Sequence, residues 1–252
     1  MFNWPLNQRC AVSLTYDDGR KTHCKAAVPL LNKYGLKGTF YVDSSSKFFR
    51  RRPYLWKKVA EAGHELGNHG LFHSCRRIES RKEWLKPYLD LCEYTPDRFE
   101  EELQMANFIL YLIDGKKKRT YGNTCWDITI GRGKGEVSMD AILRKNFIAA
   151  RGPLRQKPAR IDSEFNLMQV GTLQADGKTF SDLQRFIVKA TFPGSWVVLT
   201  IHGVQEDGPG LFLESKEHRR LIEWLSAQRN NIWTAPFIEV ARYVRDRREK
   251  KS

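Results

Sequence analysis

A chain of 252 residues with 41% hydrophobic content is long enough for one large core or two small ones, and no run in it approaches the ~20 consecutive apolar residues that a membrane-crossing helix needs. Its 43 Lys and Arg against 29 Asp and Glu leave a formal charge of +14, which favours anionic partners. The basic residues fall in short bursts (50–52, 116–119 and 245–251) that read as solvated loops and a terminal helix face, so a nucleic-acid partner is not expected. The start, MFNWPLNQRC, lacks the apolar run of a secretory leader, and a cytoplasmic location is expected unless a leader has been removed. Five cysteines, an odd count with no C-x-x-C pair, read as free thiols in a reducing compartment.

Taken in order, the chain alternates strand and helix. A strand over 10–15 ends in Asp17-Asp18-Gly19, and a helix follows over 22–34, stopped by Gly35. The run GTFYV at 38–42 is a buried strand; a helix over 54–62 ends at Gly63, and residues 64–67 form a third strand. Thr95-Pro96 caps a long helix whose Phe99, Leu103, Ala106, Leu110 and Ile113 recur at helical spacing. A strand within 120–129, a helix from Ser138 to Lys145, a strand over 147–150 and a helix over 182–190 lead to the strongest strand, 196–201, which ends at His202. A helix over 215–228, a strand over 232–234 and a closing helix over 236–247 complete the pattern. Such alternation predicts an α/β fold, a single-domain distorted (β/α) barrel of seven strands, with one domain over residues 1–252 and its core at about 10–240.

In such barrels the reactive groups collect where strands end and loops begin. Those ends carry Asp17, Asp18, His69, His73, Arg151 and His202. His69 and His73 are four apart, which in a helical turn puts both imidazoles on one face, able to share a divalent cation with one carboxylate and leave positions open for water and substrate. His64-Glu65 does not begin a metalloprotease H-E-x-x-H, because the next histidine is five residues on. The glycines of GRGKGE at 131–136 do not fit the phosphate-loop spacing and read as an ordinary loop. His23, His64 and His218 read as hydrogen-bonded core or surface residues, and Trp126 and Trp196 as core.

These motifs together resemble the polysaccharide deacetylases of carbohydrate esterase family four, which share the chitooligosaccharide deacetylase homology domain. TYDDG at 15–19 is similar to the first motif of that family, T-F-D-D-G, and HGLFH at 69–73 to its second, H-[ST]-x-x-H, with Gly70 in place of the hydroxyl residue. VVLTIH, ending at His202, resembles the late L-x-H motif, and Arg151-Gly152-Pro153 the arginine–proline motif. The D-x-x-D-W motif has no clean counterpart; Asp127 beside Trp126, or Asp176, are the candidates.

The resemblance implies Asp18, His69 and His73 as ligands of one divalent metal, Zn in the first place with Co, Ni or Mn as alternatives. It implies Asp17 as general base, His202 as general acid, and Arg151 as the residue that orients Asp17. The expected function is removal of N-acetyl groups from an N-acetylated sugar or polysaccharide, so the partner is a carbohydrate or another small acylated substrate. Two alternatives stay open: hydrolysis of another acyl bond (an O-acetyl ester, or a cyclic amide or imide), and a non-catalytic glycan- or nucleic-acid-binding protein. A pure binder has no need of both Asp17 and His202.

Overall fold

A computed structural model describes residues 2–155, 157–205 and 210–249. Seven parallel strands, β1 (Cys10–Tyr16), β2 (Thr39–Val42), β3 (Glu65–Asn68), β4 (Tyr121–Gly122), β5 (Ala150–Leu154), β6 (Val170–Gln174) and β7 (Ser195–Ile201), pair in chain order, and β7 closes back on β1. The closing pair is the longest, in register from Cys10↔Ser195 to Tyr16↔Ile201. Both of its strands are buried along their whole length, which is why they read as continuous apolar runs. Helices α1 (Val28–Lys33), α2 (Pro53–Glu61), α3 (Pro96–Asp114), α4 (Asp140–Asn146), α5 (Phe180–Lys189), α6 (Ser215–Ala227) and α7 (Phe237–Glu249) alternate with these strands or follow them.

The seven-stranded barrel matches the expectation, but its membership differs. Ile232–Thr234 is a strand, yet it pairs with Cys10–Val12 along the lower half of β1, on the edge that β2 takes higher up, and so adds to the sheet outside the ring. The seventh member of the ring is β6, which the sequence pattern did not reveal. The strand expected over 147–150 begins at Ala150 instead and carries Arg151 and Gly152 in its middle.

Alternate residues of β1 divide the molecule. Cys10, Val12, Leu14 and Tyr16 belong to the large apolar layer beneath the helices, with Leu31, Phe40, Trp56 and Leu221. Ala11 joins Trp196, Val198, Ile148 and the buried face of α7 (Phe237, Val240, Val244) in a second cluster. Above that cluster the side chains become polar: Ser13 accepts from Trp196 Nε1, Thr15 donates to Leu199 O, Thr172 bonds both Val198 O and Thr200, and Glu65 accepts from Thr39. Such a core is stable only when every member has a partner.

Tyr41 fills the space left by two glycines. A Cβ built on Gly67 would lie 2.4 Å from its ring, and one on Gly122 2.6 Å. The ring in turn lies 4.8 Å from the Arg151 guanidinium carbon, a cation–π contact within the barrel.

Thr95 caps α3 by accepting from Arg98 N, as the sequence predicts, and Gly115 ends that helix at φ 69°. The basic burst at 116–119 is not wholly solvated: Arg119 is buried and forks onto both carboxylate oxygens of Asp114, at 2.6 and 3.0 Å. Of the terminal burst, Lys250 and Lys251 lie outside the described residues.

Candidate metal and catalytic site

The ends of β1, β3, β5, β6 and β7 meet at one mouth of the barrel. At the end of β1 the backbone turns sharply, with Asp18 at φ 72° and Gly19 at φ 59°. Asp is among the few residues that tolerate this left-handed region, at a cost of about 1–2 kcal/mol. The turn sends two consecutive carboxylates to different partners.

Asp17 points into the barrel and is almost fully buried. Both its oxygens accept from Arg151, Oδ1 from Nη1 and Oδ2 from Nη2, each at 2.6 Å, while Nη1 also reaches Thr15 Oγ1 at 2.9 Å. Burial alone would raise the Asp17 carboxyl; the charge and hydrogen bonds of Arg151, with His69 and His202 adding to them, reverse this and hold it below its ordinary value.

Asp18 points to the two histidines. Its Oδ1 lies 3.5 Å from His69 Nε2 and 3.3 Å from His73 Nε2, and it is a buried oxygen without a hydrogen-bond partner. Its Oδ2 accepts from Arg20 Nε and Nη2 at 3.1 and 2.7 Å. His69 donates from Nδ1 to Gly122 O at 2.7 Å, which leaves the lone pair on Nε2. One oxygen of Asp18 and a nitrogen of each histidine thus lie within 4.8 Å of one another. An orphaned buried carboxylate oxygen facing two imidazole nitrogens is the donor set of an open cation site, so these residues fit a divalent metal. Burial works against charge on Asp18, but its contacts with the two histidines hold it well below the ordinary carboxylate range.

The histidine pair is not helical. Residues 69–78 form an irregular loop, with Gly70 at φ 82° and His73 at φ 53°, and this path, not a helical turn, brings the rings to 5.0 Å between centroids.

His202 follows β7 and stands beside the end of β1, where Asp17 N donates to Ile201 O at 2.9 Å. Its Nδ1 pairs with Asp176 Oδ2 at 2.5 Å, and its backbone N–H donates to Asp176 Oδ1 at 2.9 Å. Burial would lower the imidazolium; the bond to Asp176, aided by Asp17 and Asp18, outweighs that and raises it above the ordinary histidine value. All six residues singled out in the sequence therefore reach this mouth.

Of the two aspartates left open by the sequence, Asp176 is the partner of His202, whereas Asp127 accepts from Arg76 N and Arg81 and supports a neighbouring loop. Asp176 stands just past the end of β6, the strand that sequence reasoning missed; an aspartate closing a V-G-T-L-Q run, like Asp17 closing β1, was the available signal. Trp196 is buried as expected, but Trp126 is only half-buried and stands edge-on to His202, with ring centroids 6.2 Å apart. The reading of five free thiols is also corrected. Cys75 and Cys125 form a disulfide that joins the loop after His73 to the turn before Trp126, while Cys10, Cys24 and Cys92 remain free. Cysteines 50 residues apart gave no local spacing to reveal it.

A parallel barrel with a two-histidine, one-carboxylate cation site at its mouth, flanked by a carboxylate–arginine pair and a carboxylate–imidazole pair, defines the class. Residues 7–127, which carry Asp17, Asp18, His69 and His73, match the family model described as polysaccharide deacetylase. It is 22% identical over 266 residues to a gellan lyase of a Bacillus species, covering 97% of this chain and 10% of the relative. It is 29% identical over 111 residues to the peptidoglycan-N-acetylmuramic acid deacetylase PdaA of Bacillus subtilis, covering 44% of this chain and 36% of that protein. The chain thus matches only about a tenth to a third of the length of these curated relatives. Among solved structures, a Mycobacterium smegmatis protein named for the polysaccharide deacetylases superposes with a TM-score of 0.66 at 18% identity, over 98% of this chain and 93% of that one. This likeness shows the shared fold.

Proposed function

We propose that this protein is a metal-dependent hydrolase that removes N-acetyl groups from an N-acetylated polysaccharide. The observation that carries this reading is the opposed polarity of two pairs at the mouth: Arg151 forks onto Asp17 and lowers its carboxyl, and Asp176 bonds His202 and raises its imidazolium. Asp18, His69 and His73 are the residues that would hold the cation. With its two-nitrogen, one-oxygen donor set, Zn is the first choice and Co, Ni or Mn the alternatives. A divalent cation at such a site acidifies water and polarises an acyl oxygen.

The remaining roles belong to the chain. Asp17, kept as carboxylate with both oxygens oriented by Arg151, takes the proton of the attacking water. His202 gives its Nδ1 to Asp176, so Nε2 is the atom from which a proton is delivered to the departing nitrogen. An amine leaves poorly without that proton, which is why a raised imidazole suits an amide substrate.

Support for a sugar polymer comes from the rim. Trp84 is 54% exposed and lies 6.3 Å from the His73 ring, Phe72 is 43% exposed, and Trp126 borders His202, so apolar faces surround the polar centre. The net positive charge favours an acidic glycan. The Cys75–Cys125 bond supports an oxidising setting for the protein. The test is a panel of chitooligosaccharides, peptidoglycan glycan strands, O-acetyl xylan and cyclic imides, assayed with the metal stripped and restored. Acetate release from the N-acetylated glycans, lost on stripping and regained on restoring, is the expected result; release from the esters or imides alone would replace the proposed substrate, and release from none would end the enzymatic reading.

A further inference from the structure

His23 is fully buried, and both its ring nitrogens are in use. Nδ1 lies 3.2 Å from the backbone N of Arg20, and Nε2 lies 2.5 Å from the carbonyl oxygen of His202. A backbone N–H can only donate and a carbonyl can only accept, so the ring is neutral, with its proton on Nε2. The ring is also immobilised: it stands edge-on to Tyr16 and Trp56 and tilted against Phe40. It opens a single π-helical turn, His23–Ala27, a widened backbone element often found at functional sites.

The two groups joined by this ring belong to opposite sides of the site. Arg20, whose N–H is received by Nδ1, clamps Asp18 through its guanidinium and reaches Leu211 O at 3.0 Å. His202, whose carbonyl is held by Nε2, is the acid. One residue earlier, Thr22 Oγ1 accepts from Val204 N at 3.3 Å, so segment 20–23 grips the chain at His202 and two residues beyond it. Asp176 fixes the orientation of the His202 ring but ties it only to the loop after β6.

We infer that His23 is a positioning residue that sets the place of His202 relative to the cation site formed by Asp18, His69 and His73. The inference rests on the role proposed above for His202 as proton donor. His23 touches neither substrate nor metal in this scheme and acts only through the His202 backbone.

Two variants separate positioning from scaffolding. His23→Gln keeps an N–H donor near Nε2, whereas His23→Leu keeps the bulk and loses both bonds. In His23→Leu, kcat on an N-acetylated oligosaccharide should fall about ten- to a hundred-fold and that on an activated aryl acetate much less, with calorimetric metal affinity unchanged and His23→Gln recovering most of the loss. In a His202→Ala background, His23→Leu should cost nothing further, because the two residues act as one unit. Equal losses on both substrates, or additive losses in the double variant, would overturn the inference.

A second arm needs no turnover. In histidine-labelled protein the Nδ1 proton of His202 should give a downfield NMR signal that moves or broadens in His23→Leu and stays in His23→Gln. If the wild type hydrolyses nothing, the proposed activity fails while this signal still decides the role of His23; a signal identical in all three proteins would refute it.

Discussion

Replacing Arg151 with Met keeps an unbranched, buried side chain of similar length and removes the guanidinium that forks onto Asp17. Arg151 is fully buried and Asp17 nearly so, and the two hydrogen bonds between them are 2.6 Å each, so the variant leaves a carboxylate in the barrel interior with neither its counter-charge nor its donors. Removing one partner of a buried pair of this kind costs about 3–5 kcal/mol at neutral pH. The pH dependence distinguishes this cause from lost packing. In the wild type the folded carboxyl lies below its unfolded value, so the pair stabilises the fold above that value and the contribution is lost as pH falls through the folded one. In the variant burial is opposed only by the weaker pull of His69 and His202 and the carboxyl rises, so keeping Asp17 ionised destabilises the fold increasingly as pH climbs. The stability gap between the two proteins should therefore widen from about pH 4 to pH 7. The acid limb of the kcat profile should move to higher pH, because the base is protonated over a wider range. Urea denaturation at stepped pH on metal-free protein, with pH–rate profiles on metal-loaded protein, measures both. A gap that stays constant with pH, together with an unmoved acid limb, would refute the role given to Arg151.

Asp17→Asn should abolish turnover while calorimetry finds the metal still bound, whereas His69→Ala should lose both; near-normal rates in the Asn variant would remove Asp17 as base. His202→Ala should lower kcat about 10²–10⁴-fold on amides and much less on activated aryl esters, read from parallel kinetics on the two substrate types. The Cys75→Ser/Cys125→Ser double variant frees a 50-residue loop, so its denaturation midpoint should fall by the equivalent of about 4 kcal/mol, and metal affinity should weaken because His73 lies two residues from the bridge. Three buried histidines have depressed values, His23 and His64 about 4 and His218 about 3, so they remain neutral in the fold while the unfolded chain takes up protons below its ordinary 6.5. Their contribution is complete above that value and is lost as pH falls, about 3 kcal/mol for each by pH 4, before Asp17 and Asp18 begin to protonate. Denaturation curves at pH 7, 5.5 and 4 should register a steep decline, and a flat stability over that window would contradict their neutral burial.

The barrel interior explains which parts of this fold were legible in the chain and which were not. β1 and β7 are buried on both faces and form the closing seam, so their apolar runs announced them, and the reactive residues at their ends followed from position. β5 and β6 turn polar groups inward: Arg151 to reach Asp17, and Thr172 to bond Val198 O and Thr200. An apolar pattern signals burial only where the buried face is apolar, so the strands that hold the machinery in place were the ones it missed or misplaced. Gly67 and Gly122 follow the same logic, since positions that read as weak strand residues are where Tyr41 enters to support Arg151.

The same reasoning applies to the site itself. Asp17, Asp18, His69 and His202 stood out because each carries reactive chemistry beside a glycine or at a strand end, and His73 because it stands four residues from His69. Arg20, His23, Asp176 and the Cys75–Cys125 bond matter only through the partner each meets in space, from 2 to 179 residues away along the chain. An imidazole can act as proton donor at a cation site only if its ring, its backbone and the metal-ligand turn are fixed with respect to one another. In this chain those three constraints fall to Asp176, to His23 and to Arg20, so the residues that decide whether the visible groups react are those whose role becomes apparent only once the chain has folded.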